Sequence, residues 1–283
     1  MEEKSRAKRF WGAIGQACAF FGVYLGAQIA VSSALTVAFT IISVMRTGEY
    51  NESAITEMLN SSIMELTLIS NAIAIVLCLL LASIFRKKHP IEAIDLTLSF
   101  DKKPLTLGAC AFLGIVGQIA ILFLLNIIPF PESWTAMLEE NNSQIASSGV
   151  AIEIISVAIM APLAEEIIFR AGIQGSLKRG MPRWWAIALS ALIFGVMHGN
   201  PIGIIYASAL GIMMGWIYSK FDSIIPSMVF HLAFNTMSLI VSLFDGIPFI
   251  ICIISCALFA SCIAFIARIP NTSKGENNND KTL

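Results

Sequence analysis

Charged side chains are scarce in this chain. Asp, Glu, Lys and Arg make up 13% of its 283 residues, and 57% are hydrophobic; a soluble globular domain carries roughly 25% charged residues. With a mean hydropathy of +0.78, that shortage excludes an ordinary soluble fold and points to a polytopic membrane protein. There are three histidines. The six cysteines, Cys18, Cys78, Cys110, Cys252, Cys256 and Cys262, form no CxxC pair and sit in apolar segments. They read as small buried apolar residues, not as disulfides or a zinc centre. HExxH and GxSxG are absent. No basic patch with interleaved aromatics is present, which argues against nucleic acid as a partner. No strong internal repeat supports an inverted-repeat transporter.

Long apolar runs are abundant instead. A spanning helix needs about 20 apolar residues. Eight stretches are candidates: within 10–45, then 66–85, 105–128, 150–177, a short one at 184–198, 202–219, 224–244 and 247–267. The first is longer than one crossing needs, so tilt or a kink is expected. It also outruns the roughly 7–15 apolar residues of a cleavable signal and reads as a retained span. With the N-terminus inside, sixteen basic residues fall on cytoplasmic segments and only Arg46 falls outside, which satisfies the positive-inside rule. The expectation is an all-α polytopic membrane protein, a bundle of about eight transmembrane helices. Both termini are cytoplasmic, the membrane is a bacterial plasma membrane, and a polar, disordered tail covers 269–283. His89, in "RKKHP", reads as a solvated loop residue. Asn71, Gln118 and Asn126 read as helix–helix hydrogen bonders, and Trp184, Trp185, Trp216 and Tyr218 as interfacial belt residues.

Against this background "APLAEEIIFRAG" (161–172) is anomalous, because a charged residue at a helix centre costs about 2.5–3.5 kcal/mol on the insertion scale. Such residues face a protein interior and mark function by default. Glu166 and Arg170 are spaced i, i+4, the spacing of a helical ion pair, which leaves Glu165 without a partner in its own helix. His198, His231 and Asn235 also lie within spans. At about 1.5 Å per residue, Glu165 is roughly 20 Å from Lys178 and His198 roughly 22 Å from Arg183. By the same rise His231 and Asn235 are roughly 13 and 20 Å from Asp222. Four polar groups from three helices thus share one slab. Gly195 and Gly199, and Gly211 and Gly215, have spacings that suit close helix packing.

Glu165 can take a proton from water, and His198 can orient that water or bind a metal. His231 and Asn235, on one helix face, can donate to an oxyanion. Alternatively Glu165, His198 and His231 make a three-ligand zinc set with a position open for water. Both readings give hydrolysis of an amide. Two other classes compete: a non-catalytic immunity or scaffold protein of the membrane, and a proton- or ion-coupled transporter that uses the same charges as a path.

"EEIIFR" (165–170), "FGVMH" (194–198) and "HLAFN" (231–235) resemble the EExxxR, FxxxH and HxxxN motifs of the CPBP family. That family comprises type II CAAX prenyl endopeptidases and bacteriocin-processing and immunity proteins, also called Abi. The resemblance covers about 150–245. It divides the chain into N-terminal helices (1–149), a catalytic core (150–245), a last helix (246–268) and the tail. It implies an intramembrane endopeptidase in which Glu165 activates water with His198 and His231 and Asn235 hold the oxyanion. Glu166, Arg170 and Phe194 support the site. Some members are named metalloproteases, and a metal-free, glutamate-activated water is equally compatible with the fold. The implied partners are the lipid bilayer and a membrane-associated peptide or protein, prenylated or not, reached laterally or through a cavity open to the cytoplasm. The oligomeric state is not written in the sequence.

Overall fold

The computed structural model describes residues 2–88, 103–146, 149–244 and 246–270. His89 and nearly all of the polar tail lie outside the described residues. What is described is helical throughout, in ten rods: α1 (Glu2–Thr47), α2 (Glu52–Ser61), α3 (Ile63–Lys88), α4 (Lys103–Ile127), α5 (Glu132–Ala146), α6 (150–177), α7 (Arg183–Val196), α8 (Pro201–Phe221), α9 (Ile224–Val241) and α10 (Phe249–Arg268). Six of them, α1, α3, α4, α8, α9 and α10, are long and apolar enough to cross a membrane, and α7 is a shorter apolar helix. Large apolar side chains such as Ile29, Leu80, Leu192 and Ile205 face outward, as lipid contact requires. The chain is a multi-pass integral membrane protein.

Each of the eight expected spans coincides with a rod. The first, α1, runs unbroken for 46 residues, about 70 Å at helical rise and more than twice the roughly 30 Å of a hydrocarbon core. The two further rods, α2 and α5, lie in stretches the sequence reading left as connections. Asn51 caps α2 by accepting from the Ala54 N–H at 3.0 Å. In α5 no residue is fully buried, but Trp134, Leu138, Asn141 and Ile145 are half-covered and recur at helical spacing on its inner side.

The rod α6 contains two π-helical segments, Ile154–Met160 and Glu166–Gln174. At their ends the N–H groups of Ala161 and Gly175 donate five residues back, to the carbonyls of Ser156 and Arg170. Pro162 lies directly after the first segment and has no N–H to give. In a five-back ladder its partner would be the Val157 carbonyl, which instead accepts from the Asn235 side-chain amide at 2.9 Å.

After Pro182, α7 rises from the turn that carries Lys178, Arg179 and Arg183. Its 14 residues span about 21 Å, less than a bilayer, so it stops inside the bundle and leaves His198 there. Gly199 turns the chain at φ +75°. Asn200 then caps α8 by accepting from the Gly203 N–H at 2.7 Å, with Pro201 at the first helical position. The left-handed Asp222 ends α8, and its carboxylate takes the Lys178 ammonium at 2.8 Å, tying the ends of α6 and α8 together. Gly195 meets Ser208 and the Ile204 carbonyl, and Gly211 meets the Ala191 backbone, so both glycines lie in the α7–α8 seam as expected. Gly199 does not; it serves the turn.

Three smaller expectations change. Tyr218 is 8% exposed, with the Lys178 ammonium 5.2 Å over its ring; it packs inside and is not a belt residue. Asn126 donates to Leu122 in its own helix and not across helices, whereas Asn71 does bond across, accepting from Gln28 at 3.2 Å. Cys18 is exposed; all six cysteines are free.

Candidate active site

Glu165 and Glu166 are adjacent in α6 yet have different surroundings. The Glu165 side chain is 17% exposed and lines a cavity, while Glu166 is fully buried. His231, from α9, stands between them. Its Nε2 is 3.5 Å from Glu165 Oε2 and its Nδ1 is 3.4 Å from Glu166 Oε1. Glu166 Oε1 is also 3.4 Å from Arg170 Nε. These separations are in ion-pair range and longer than a normal N–H···O bond of about 2.7–3.2 Å. The result is a chain, Glu165–His231–Glu166–Arg170, that runs from the cavity into the core. With His231 protonated, its charges alternate and cancel.

Arg170, fully buried, has two further contacts. Its guanidinium lies 4.9 Å over the Phe194 ring, and a terminal nitrogen is 3.9 Å from Met214 Sδ. A cation over an aromatic face is attracted by the ring's quadrupole, and the planar, weakly hydrated guanidinium suits such a buried contact well. Phe194 is shared further: its ring meets Phe169, His198 and His231 edge-on at 5.2, 4.9 and 6.0 Å. The FxxxH phenylalanine therefore spaces both histidines.

His198 Nδ1 lies 3.1 Å from the Phe194 carbonyl. A carbonyl can only accept, so Nδ1 carries the proton and Nε2 of the neutral ring is free to accept. Asn235 spends one amide hydrogen on Val157 and retains a second.

The cavity holds about 350 Å³. Glu165, Phe194, His198, His231 and Asn235 all line it, together with Tyr206, Gln118, Ser238 and three residues of α5. The structure thus brings together every sequence-selected residue: four at the cavity wall as candidate reactive groups, Phe194 beside them, Glu166 and Arg170 behind. Tyr206 was not foreseen. It reaches the His198 ring at 6.0 Å and is within electrostatic reach of Glu165. A tyrosine amid apolar helix residues gave no signal that the sequence could separate from packing.

A metal was one expectation for Glu165, His198 and His231. Among the described residues no group of three or more His, Cys, Asp or Glu side chains is gathered to hold an ion. As placed, Glu165, His198 and His231 are not gathered around one point, although Nδ1 of each ring is held, on Glu166 and on the Phe194 carbonyl, as the second nitrogen of a ligating imidazole is.

Residues 147–237 match the family described as type II CAAX prenyl endopeptidase Rce1-like. Over these residues, about a third of the chain, it is similar to a CPBP-type protease family. A Bacillus subtilis (strain 168) protein described as "Putative membrane peptidase YdiL" is 27% identical over 178 residues, covering 61% of this chain and 71% of that protein. No solved structure matches the chain. The family and the relative support a membrane protease.

Proposed function

We propose that the chain is an intramembrane endopeptidase that hydrolyses a peptide bond of a membrane-associated peptide or protein with a water activated by Glu165 and His198. The observation that carries this reading is the division of labour between the two glutamates. Glu165 meets the cavity, while Glu166 is sealed behind His231 and held by Arg170.

In this mechanism a substrate carbonyl enters the cavity. The Glu165 carboxylate takes a proton from water, and the His198 Nε2 lone pair orients the water's other hydrogen. The hydroxide attacks the carbonyl carbon, and the C=O electron pair moves onto oxygen. His231 Nε2–H and the second Asn235 N–H donate to that oxyanion. At 3.5 Å the Nε2 proton is not committed to Glu165. The proton held by Glu165 then passes to the leaving nitrogen as the C–N bond breaks, giving a carboxylic acid and an amine; transfer of the acid's proton to the amine leaves a carboxylate and an ammonium. Glu166 acts through His231: it fixes the ring by its far nitrogen, as a buried carboxylate does for a catalytic imidazole.

The test is cleavage of quenched-fluorescence peptides, prenylated and unprenylated, by the purified protein, by Glu165→Gln and by wild type in a chelator. Removing the base should cost 10²–10⁴-fold, the usual weight of general-base catalysis, with folding unchanged because Glu165 borders the cavity. Chelation should leave the rate intact. Full activity in Glu165→Gln would end this mechanism, and loss on chelation restored by zinc would replace it with a metal-dependent one.

A further inference from the structure

The cavity has a direction. Apart from α5, the helices that wall it contribute from about mid-helix towards one end. In α6 the wall residues run from Ser156 to Glu165, towards residue 150; in α8 they are Tyr206 and Leu210, towards Pro201; in α9 they run from His231 to Ser238, towards Val241. The complementary halves of the same helices are solid. Ile168, Phe169, Ile173, Met214, Ile217 and Phe230 are completely buried and belong to one apolar cluster. That plug lies between the site and the turns carrying Lys178, Arg179, Arg183 and Lys220. The cavity therefore runs away from the basic end of the bundle, and α5 lies across its far end with Leu138, Asn142 and Ile145 in the wall. Basic residues mark the cytoplasmic ends of membrane helices.

We propose that substrate reaches this site from the non-cytoplasmic side of the membrane, past α5, and not from the cytoplasm. The proposal rests on the peptidase reading and narrows it. The substrate class is then a peptide, or an extracytoplasmic segment of an anchored protein, that presents its scissile bond from the outer leaflet or beyond. A cytoplasmic tail, prenylated or not, would meet the apolar plug.

Ser238→Cys places a thiol on the cavity wall beyond Asn235, and Met181→Cys places one in the turn at the basic end. Intact cells expressing each variant are treated with a membrane-impermeant maleimide, with the parent protein as background. Ser238→Cys should label in intact cells, and Met181→Cys only after permeabilisation. Labelling of Ser238→Cys only after permeabilisation, or in neither condition, would overturn the proposal, as would external labelling of Met181→Cys. Peptide cleavage separates this result from the catalytic reading. External labelling of Ser238→Cys with no cleavage by the wild type would leave the direction of access standing and remove the peptidase. Where the wild type cleaves, right-side-out vesicles should cut added peptide at once and inside-out vesicles only in detergent; the reverse order would overturn the proposal.

Discussion

Arg170 is the largest fully buried side chain in the described structure, and its guanidinium is the cation that faces Glu166 from its own helix. Removing one partner of a buried pair leaves an uncompensated charge and costs about 3–5 kcal/mol. Arg170→Ala should therefore lower the folded yield and the midpoint of thermal unfolding in detergent, more than any cavity-wall substitution. Replacing both partners with apolar residues, Glu166→Leu with Arg170→Met, removes the charge problem and should recover much of that loss. It should not recover cleavage, because His231 then lacks the carboxylate that fixes its ring. An active double variant would show that Glu166 serves only to neutralise Arg170. The positions and types of these residues were plain in the sequence, since charges within apolar runs are conspicuous. Their pairing across helices was not. The i, i+4 spacing announced Glu166–Arg170, but nothing along the chain tells which of two adjacent glutamates α9 will meet, because that depends on how α9 is turned against α6.

The π segments of α6 are the feature of this scale that hydropathy could not reveal. Apolar composition marks where a rod lies and is silent about a local change from four-back to five-back bonding, although Pro162 was a visible cause for one. The link from Pro162 through Val157 to Asn235 makes a double-variant cycle informative. Asn235→Ala should leave the Val157 carbonyl unsatisfied, at about 1–3 kcal/mol for a buried acceptor. Pro162→Ala returns an N–H five residues along, and in combination should remove most of that loss, read as coupling between the two unfolding midpoints. Cleavage should stay low in the double variant, because the second Asn235 hydrogen is gone as well. Additive effects on stability would mean that Asn235 does not replace the missing proline donor. A neighbouring contact holds the other side of α9. A Cβ at Gly114 in α4 would strike the Phe230 carbonyl and crowd the Phe234 N–H, backbone atoms on either side of His231. Gly114→Leu should separate α4 from α9 and abolish cleavage without touching the cavity, whereas Gly108→Leu, which has open space, should be tolerated. Equal behaviour of the two would remove α4 as the backing of the site. The rods α2 and α5 escaped the sequence reading for a simple reason: a search for some 20 apolar residues passes over short amphipathic helices.

Across the whole molecule, charge is divided between the two ends. The end towards which the cavity runs carries Glu49, Glu52, Glu57, Glu65, Glu132, Glu139, Glu140 and Glu153 in its segments and first turns, with Arg46 as its one basic residue. Two of these, Glu139 and Glu140, are exposed on α5, the helix that crosses the mouth. None makes a specific peptide site. The exposed ones, Glu49, Glu52, Glu57, Glu132, Glu139 and Glu140, give this end a negative surface that a peptide arriving from that side meets before Glu165. A surface of one sign raises the local concentration of oppositely charged ligands, and salt weakens the effect because the screening length falls from about 10 Å at 0.1 M to about 3 Å at 1 M. Two peptides that share a cleaved core, one flanked by lysines and one by glutamates, should therefore differ in kcat/KM, with the lysine peptide ahead at low salt. The difference should shrink as salt rises from about 0.05 to 0.5 M, while kcat at saturation stays the same for both. Glu139→Lys with Glu140→Lys should narrow the gap at low salt. Because those residues cover no buried surface, thermal stability should not move. A preference for the lysine peptide that persists at high salt, or appears in kcat, would locate the discrimination in contacts within the cavity. Equal kcat/KM at every salt would show that the acidic end does not guide the substrate at all.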